Sequence, residues 1–197
     1  MIGAKVLNYL EGKKVKFEVI DHRKVFTAYD LAQTLKHDLK KIAKTLLVKA
    51  DSAYVLVVIP AYYRLDLKKL KKSLNAKKIE IPNEKVIIKV LKIKLGGITP
   101  FGALHKVETW VDKSLLAAQD VIMNAGSFTQ SLRMKARDYI KLEEARLGNF
   151  VESAGYKPIK IKSKKSKSAS KVKVRGKKKK AVKSVNKKKK VIKKKKR

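Results

Sequence analysis

The spacing of apolar residues changes along the chain, and each change of period predicts an element. Val6, Leu7 and Leu10 recur at helical spacing, which predicts a short amphipathic helix over residues 3–11 ended by Gly12. Val15, Phe17 and Val19 alternate with Lys16 and Glu18, the pattern of a half-buried strand. Thr27 stands three residues before Asp30, a capping-box-like start to a helix that buries Leu31, Ala32 and Leu35. A helical turn over 39–43 leads into the apolar run 45–48. That run and 55–59 are short and bounded, as central strands are. Leu65, Leu67, Leu70 and Leu74 predict a helix with a lysine-rich outer face, followed by a short strand over 77–81. Pro82, at a first-helical-turn position, opens a helix that runs to Val90. A loop over 96–102 precedes strands at 106–111, 120–124 and 131–134, and a last helix over 136–147 stops at Gly148. Strands and helices alternate irregularly, so the expected fold class is α+β with a mixed sheet, not a regular doubly wound one.

Charge divides the chain. It has 197 residues with 52 Lys+Arg against 16 Asp+Glu, a formal +36. Residues 157–197 carry 23 of the basic side chains and no acid, which leaves +13 on residues 1–156. The expected organisation is a folded domain over 1–155 and a polybasic tail over 156–197, with runs of four lysines beginning at Lys177-Lys178, Lys187-Lys188 and Lys193-Lys194. Like charge at that density opposes collapse, so the tail is expected to be disordered when free. A polycation gains affinity for RNA or DNA through counterion release.

Composition removes several chemistries. There is no cysteine, hence no disulfide, thiolate zinc site or thiol nucleophile. His22, His37 and His105 lie too far apart for a metal-binding pair, and no acidic cluster has useful spacing, so neither metal nor cofactor is expected. The adjacent Glu143 and Glu144 read as a solvated helix face. No apolar run approaches the roughly 20 residues that span a membrane. The expectation is a soluble, cytoplasmic protein without a membrane partner.

Three strings carry candidate chemistry. Lys44 precedes the apolar run Thr45-Leu46-Leu47-Val48 and either projects into a cleft as a fixed cation or snorkels at the surface. Gly96-Gly97-Ile98-Thr99-Pro100-Phe101-Gly102 either presents backbone N–H groups to a ligand or is a structural loop. It is no P-loop, since it lacks the lysine-containing string. Asn124-Ala125-Gly126-Ser127 at a strand end is a ligand-hydroxyl site or a plain turn, and His22 bonds ribose or phosphate or is structural.

Taken in order, His22 with Thr27-Ala28, Lys44-Thr45-Leu46-Leu47-Val48, Arg64-Leu65-Asp66-Leu67, the glycine loop and Asn124-Ala125-Gly126-Ser127 resemble the YbaK/aminoacyl-tRNA synthetase-associated domain family, over roughly residues 5–147. The resemblance implies a mixed, barrel-like sheet with helices around it. It implies hydrolysis in trans of a wrong amino acid, often Ala or Cys, from the 3′ end of tRNA, commonly proline tRNA. It assigns catalysis to Lys44, Gly97 and Gly102. It assigns substrate binding to His22, Thr45, Gly96, Ile98, Thr99, Pro100, Phe101, Asn124, Gly126, Ser127 and Ser131. Some members carry a histidine where this chain has Phe128-Thr129-Gln130-Ser131, and some a tyrosine where it has Val19-Ile20-Asp21. The alternative is a non-catalytic nucleic-acid-binding protein on the same fold. No sequence neighbour marks a cause for a lowered Lys44 pKa, so the attacking group is expected to be water or a substrate group, and no serine–histidine–acid set is evident.

Deleting residues 157–197 is expected to weaken tRNA binding and flatten its salt dependence while saturated turnover stays similar. Binding titrations across a salt series check this, and an unchanged slope would refute a role for the tail in affinity.

Overall fold

The computed structural model describes residues 3–93 and 97–153. The tail lysines Lys177, Lys178, Lys187, Lys188, Lys193 and Lys194, the expected disorder around them, and Gly96 lie outside the described residues. The elements in order are α1 (Ala4–Gly12), β1 (Glu18–Asp21), α2 (Ala28–Leu35), β2 (Ala43–Ala50), β3 (Ala53–Pro60), β4 (Tyr63–Leu65), α3 (Leu67–Leu74), β5 (Ile79–Glu80) and α4 (Glu84–Leu91). They continue with β6 (Glu108–Asp112), β7 (Asp120–Asn124), β8 (Gln130–Lys135), α5 (Ala136–Leu142), β9 (Arg146–Gly148) and β10 (Val151–Ser153), with 3-10 turns at Leu39–Lys41, Gly102–His105 and Lys113–Ala117.

The α+β expectation holds, and its barrel is corrected. A five-stranded mixed sheet runs β5-β2-β3-β6-β9, a three-stranded sheet β1-β8-β7 and a two-stranded one β10-β4. Among the described residues no sheet closes on itself. In the largest sheet β2 pairs antiparallel with β3 and β5, while β3–β6 and β6–β9 are parallel. The large and three-stranded sheets meet at a single parallel bridge, Ile42 to Ile122, between residues at 0% and 2% exposure. Parallel pairing needs both faces covered, which fits the near-continuous apolar run of β3, buried from Val55 to Pro60.

Several boundaries move for local reasons. The strand expected from Val15 begins only at Glu18; Val15 and Phe17 still pack on the core, but from irregular backbone. Asn83 rather than Pro82 starts α4, its side chain accepting from the Val86 N–H at 3.1 Å. Leu65 belongs to β4, because the Asp66 carboxylate caps α3 by accepting from the N–H groups of Lys68 and Lys69. The last helix ends at Leu142 instead of 147: Glu144 turns left-handed (φ 48°) and the chain re-enters the sheet as β9.

Glu143 is also corrected. It is 8% exposed rather than solvated. Its carboxylate accepts from Tyr9 Oη (2.9 Å), Thr109 Oγ1 (3.0 Å) and the Ala103 N–H (3.2 Å). Burial, then the hydrogen bond to Glu143, push the Tyr9 phenol far above its ordinary pKa, so it stays a donor. One helical turn earlier, the buried Tyr139 donates to the Pro100 carbonyl at 2.6 Å.

Glu143→Ala strands three donors and is expected to cost on the order of 3 kcal/mol of stability. Urea unfolding checks this; a change within about 0.5 kcal/mol, the range of ordinary surface substitutions, would show that the network carries no such weight.

Candidate functional site

The crevice between the two larger sheets is open as a cavity of about 300 Å³. Its lining comes from both: Ala43, Lys44 and Thr45 from β2, and Asn124 and Ser131 from β7 and β8. His22, just past β1, closes one side, and Ile87 and Ile88 of α4 with Ile98 form an apolar wall. Glu84, in the first turn of α4, adds a carboxylate.

Lys44 is half-buried in β2 opposite Ile59, with Nζ donating to the Tyr63 carbonyl at 3.2 Å. Burial first, then the charge of Arg64, lower its pKa below that of an ordinary lysine. The cause that the sequence did not reveal is thus tertiary, since desolvation disfavours the ammonium. The side chain is held by a backbone carbonyl, with no carboxylate paired to it among the described residues, which leaves donor capacity for a ligand in the cavity.

His22 and Ser131 form the second feature, and pairwise sequence reading missed it. His22 Nδ1 lies 2.8 Å from the Arg23 carbonyl and Nε2 lies 2.9 Å from Ser131 Oγ. A carbonyl only accepts, so in the neutral ring Nδ1 carries the proton and Nε2 accepts the serine hydroxyl. This is a serine–histidine pair oriented by a carbonyl where a triad would place an acid. Ser131 is 2% exposed, and its place on β8 is set by pairing with Ile20 of β1 and Asn124 of β7. The partners are 109 residues apart, so no local motif could announce them.

The remaining assigned residues divide. Thr45, Ile98, Asn124 and Ser127 join Lys44, His22 and Ser131 on the first cavity. Gly97, Thr99 and Gly126, again with Ser127, line a second cavity of about 840 Å³. Asn124 Oδ1 accepts from the Gly126 N–H at 2.6 Å, closing a turn in which Gly126 takes φ +78°. Pro100, Phe101 and Gly102 line neither cavity. Phe101 is fully buried, edge-on to Tyr9 and Tyr139. Gly102 is buried where a Cβ would run into the Val107 carbonyl and the Thr109 hydroxyl, so close packing accounts for its missing side chain. Phe26 and Glu84 line the first cavity without having been singled out, and Thr27 and Phe128, noted in the sequence but not assigned to substrate binding, line it as well. Among the described residues no group of histidine and carboxylate side chains could hold a metal ion, and no helix is long and apolar enough to cross a membrane.

Comparison with known proteins finds relatives along most of the chain. The chain is 24% identical over 151 residues to the prolyl-tRNA editing protein ProX of Acetoanaerobium sticklandii, covering 74% of this chain and 92% of that one. It is 23% identical over 155 residues to the multifunctional Ser/Thr-tRNA deacylase ProXp-y of Escherichia coli, covering 76% and 93%. A crystal structure of a candidate trans-editing enzyme for prolyl tRNA synthetase superposes with a TM-score of 0.68 at 19% identity, covering 78% of this chain and all of that one, which shows the shared fold. Residues 22–142 match the family described as the aminoacyl-tRNA editing domain, a span that runs from the cavity histidine to the end of α5, and the chain belongs to that family.

Proposed function

We propose that the protein is a trans-acting deacylase that hydrolyses the ester joining a small, wrongly attached amino acid to the 3′ end of tRNA, with alanine or cysteine on proline tRNA as the first candidates. The observation that carries this reading is the joint presence of Lys44 and the His22–Ser131 pair on one cavity of about 300 Å³. The names of the two relatives that span most of the chain, a prolyl-tRNA editing protein and a tRNA deacylase, support it.

The chemistry follows from what each group can do. An aminoacyl ester brings a cationic amino group, a small side chain, a carbonyl and a ribose. Glu84 offers a carboxylate to the amino group, and the isoleucine wall bounds the side chain. Lys44 donates to the carbonyl oxygen as negative charge develops there, or fixes the ribose end. The backbone amide of Ile98, a residue that lines the same cavity, assists. A water bonded to Ser131 Oγ attacks the carbonyl carbon; its proton passes to Ser131 as the serine proton passes to His22 Nε2. The ester C–O bond breaks, and the imidazolium returns a proton to the ribose 3′ oxygen. The products are a free amino acid and uncharged tRNA, with no covalent intermediate.

Lys44→Ala is expected to lower kcat/KM for deacylation by more than about a hundredfold, the loss that follows when a reacting group is no longer positioned. A panel of mischarged tRNAs provides the assay, and near-native turnover in this variant would sink the mechanism. Salt-sensitive tRNA binding with no turnover of any substrate would instead select the non-catalytic reading. Ser131→Ala and His22→Ala are each expected to lower kcat by about a hundredfold or more, with their double variant no worse than either alone, because the two act as one relay. Additive losses would separate their roles.

A further inference from the structure

Two aromatic rings stand at the mouth of the first cavity with no core to belong to. Phe26 is 68% exposed, and its ring centroid lies 5.2 Å from that of Phe128 at an interplanar angle of 55°. Lys24 Nζ sits 5.1 Å from the centre of the Phe26 ring and 5.9 Å from that of Phe128. Backbone pairing holds the arrangement: the His22 N–H donates to the Thr129 carbonyl and the Val25 N–H to the Phe128 carbonyl, both at 2.9 Å. Immediately after Phe26, Thr27 caps α2 by accepting from the Asp30 N–H at 3.0 Å. The backbone that carries the rings is thus held from both sides, although Phe26 itself is largely exposed.

Their surroundings are cationic and continuous with the site. Phe128 lines both cavities. The second cavity carries Lys5, Lys24, Lys92 and Lys106 on its wall, and with them Thr99, 4% exposed, whose Oγ1 is buried without a hydrogen-bond partner. Aromatic faces beside ammonium groups match an unpaired nucleotide, whose base offers a π face and whose phosphate offers charge. A base inside a duplex offers no such face until it is unstacked.

We propose that Phe26 and Phe128 form a stacking platform for the unpaired 3′-terminal base of the RNA whose ester occupies the first cavity, with Lys24 and the lysines of the second cavity taking the phosphates of the nucleotides before it. The proposal rests on the deacylase reading for the identity of that RNA. It divides the substrate among three adjacent places: ester at Lys44, base on the rings, backbone over the second cavity.

The test uses the full-length protein and two ligands, an uncharged tRNA and the same tRNA lacking only its terminal base, with dissociation constants measured at one salt concentration. Any contribution of the polybasic tail is common to both and cancels in their ratio. For the native protein, loss of the base is expected to weaken binding about tenfold, within the range of a single base–aromatic stack. In the double variant Phe26→Ala/Phe128→Ala the two tRNAs are expected to bind equally, whereas Phe26→Tyr/Phe128→Tyr keeps the difference. A base effect of the same size in the alanine variant, or none in the native protein, overturns the platform, as does a variant whose only change is in self-association. Thermal melts confirm that the variants are folded, and Phe26→Ala alone, at so exposed a position, is expected to remove most of the effect. Turnover is not read. A native protein that shows the base effect but hydrolyses no ester would refute the deacylase reading and leave the platform standing.

Discussion

A buried carboxylate with no cation paired to it among the described residues organises the part of the molecule on which the site depends. Glu143 is satisfied by three neutral donors drawn from α1, from the turn after the glycine loop and from β6. Removing a charge from water costs several kcal/mol, and only a full set of hydrogen bonds offsets it. The arrangement therefore tolerates little slack. Tyr139 and Glu143, one helical turn apart, grip the chain at Pro100 and Ala103 respectively. Between those two points Phe101 is locked between Tyr9 and Tyr139 and Gly102 against Val107 and Thr109. The stretch just before, Gly97 to Thr99, is left facing the two cavities. The loop is thus an anchor followed backwards by a contact surface, and the helix that anchors it contributes no residue to the first cavity.

The same logic separates one lysine from the others among the described residues. On a chain with 52 basic side chains, charge alone marks nothing. Lys44 differs because β2 carries it into a half-buried position where desolvation weakens its hold on a proton and a carbonyl fixes its direction. Lys5, Lys24, Lys92 and Lys106 around the second cavity are distinguished instead by number and by place, four ammonium groups on one wall.

Much of the fold was legible because the elements obey local rules. The apolar run of β3, the Thr27 cap and the period of α3 all appear where the pattern puts them. What escaped was tertiary. The strands β4, β9 and β10 are only three residues each, too short for any period, and exist because their partners are in place. Glu143 looked solvated because adjacent glutamates ordinarily are; no string of residues announces donors on Tyr9 and Thr109. For the site, Lys44, Thr45, Asn124 and Ser127 stood out through order and spacing, and the first cavity collects them. The pairing of His22 with Ser131 could not be read, because it is made by the register of β1 on β8 and by nothing nearer in the chain. Conversely, a conspicuous glycine at position 102 answers to packing, which a sequence cannot tell from approach to a ligand.

The cavity groups sit on two sheets that, among the described residues, share one backbone bridge, Ile42 to Ile122, and otherwise meet through packed side chains such as Ala43, Val58 and Val111 against Val121, Met123 and Leu132. Lys44 rides on one side of that seam and the His22–Ser131 pair on the other. Their separation is therefore inherited from how two hydrophobic surfaces settle against each other rather than from the length of any side chain. Such a seam is a tuning screw: a methyl gained or lost beneath it moves the two halves of the machinery relative to one another while every polar residue keeps its identity.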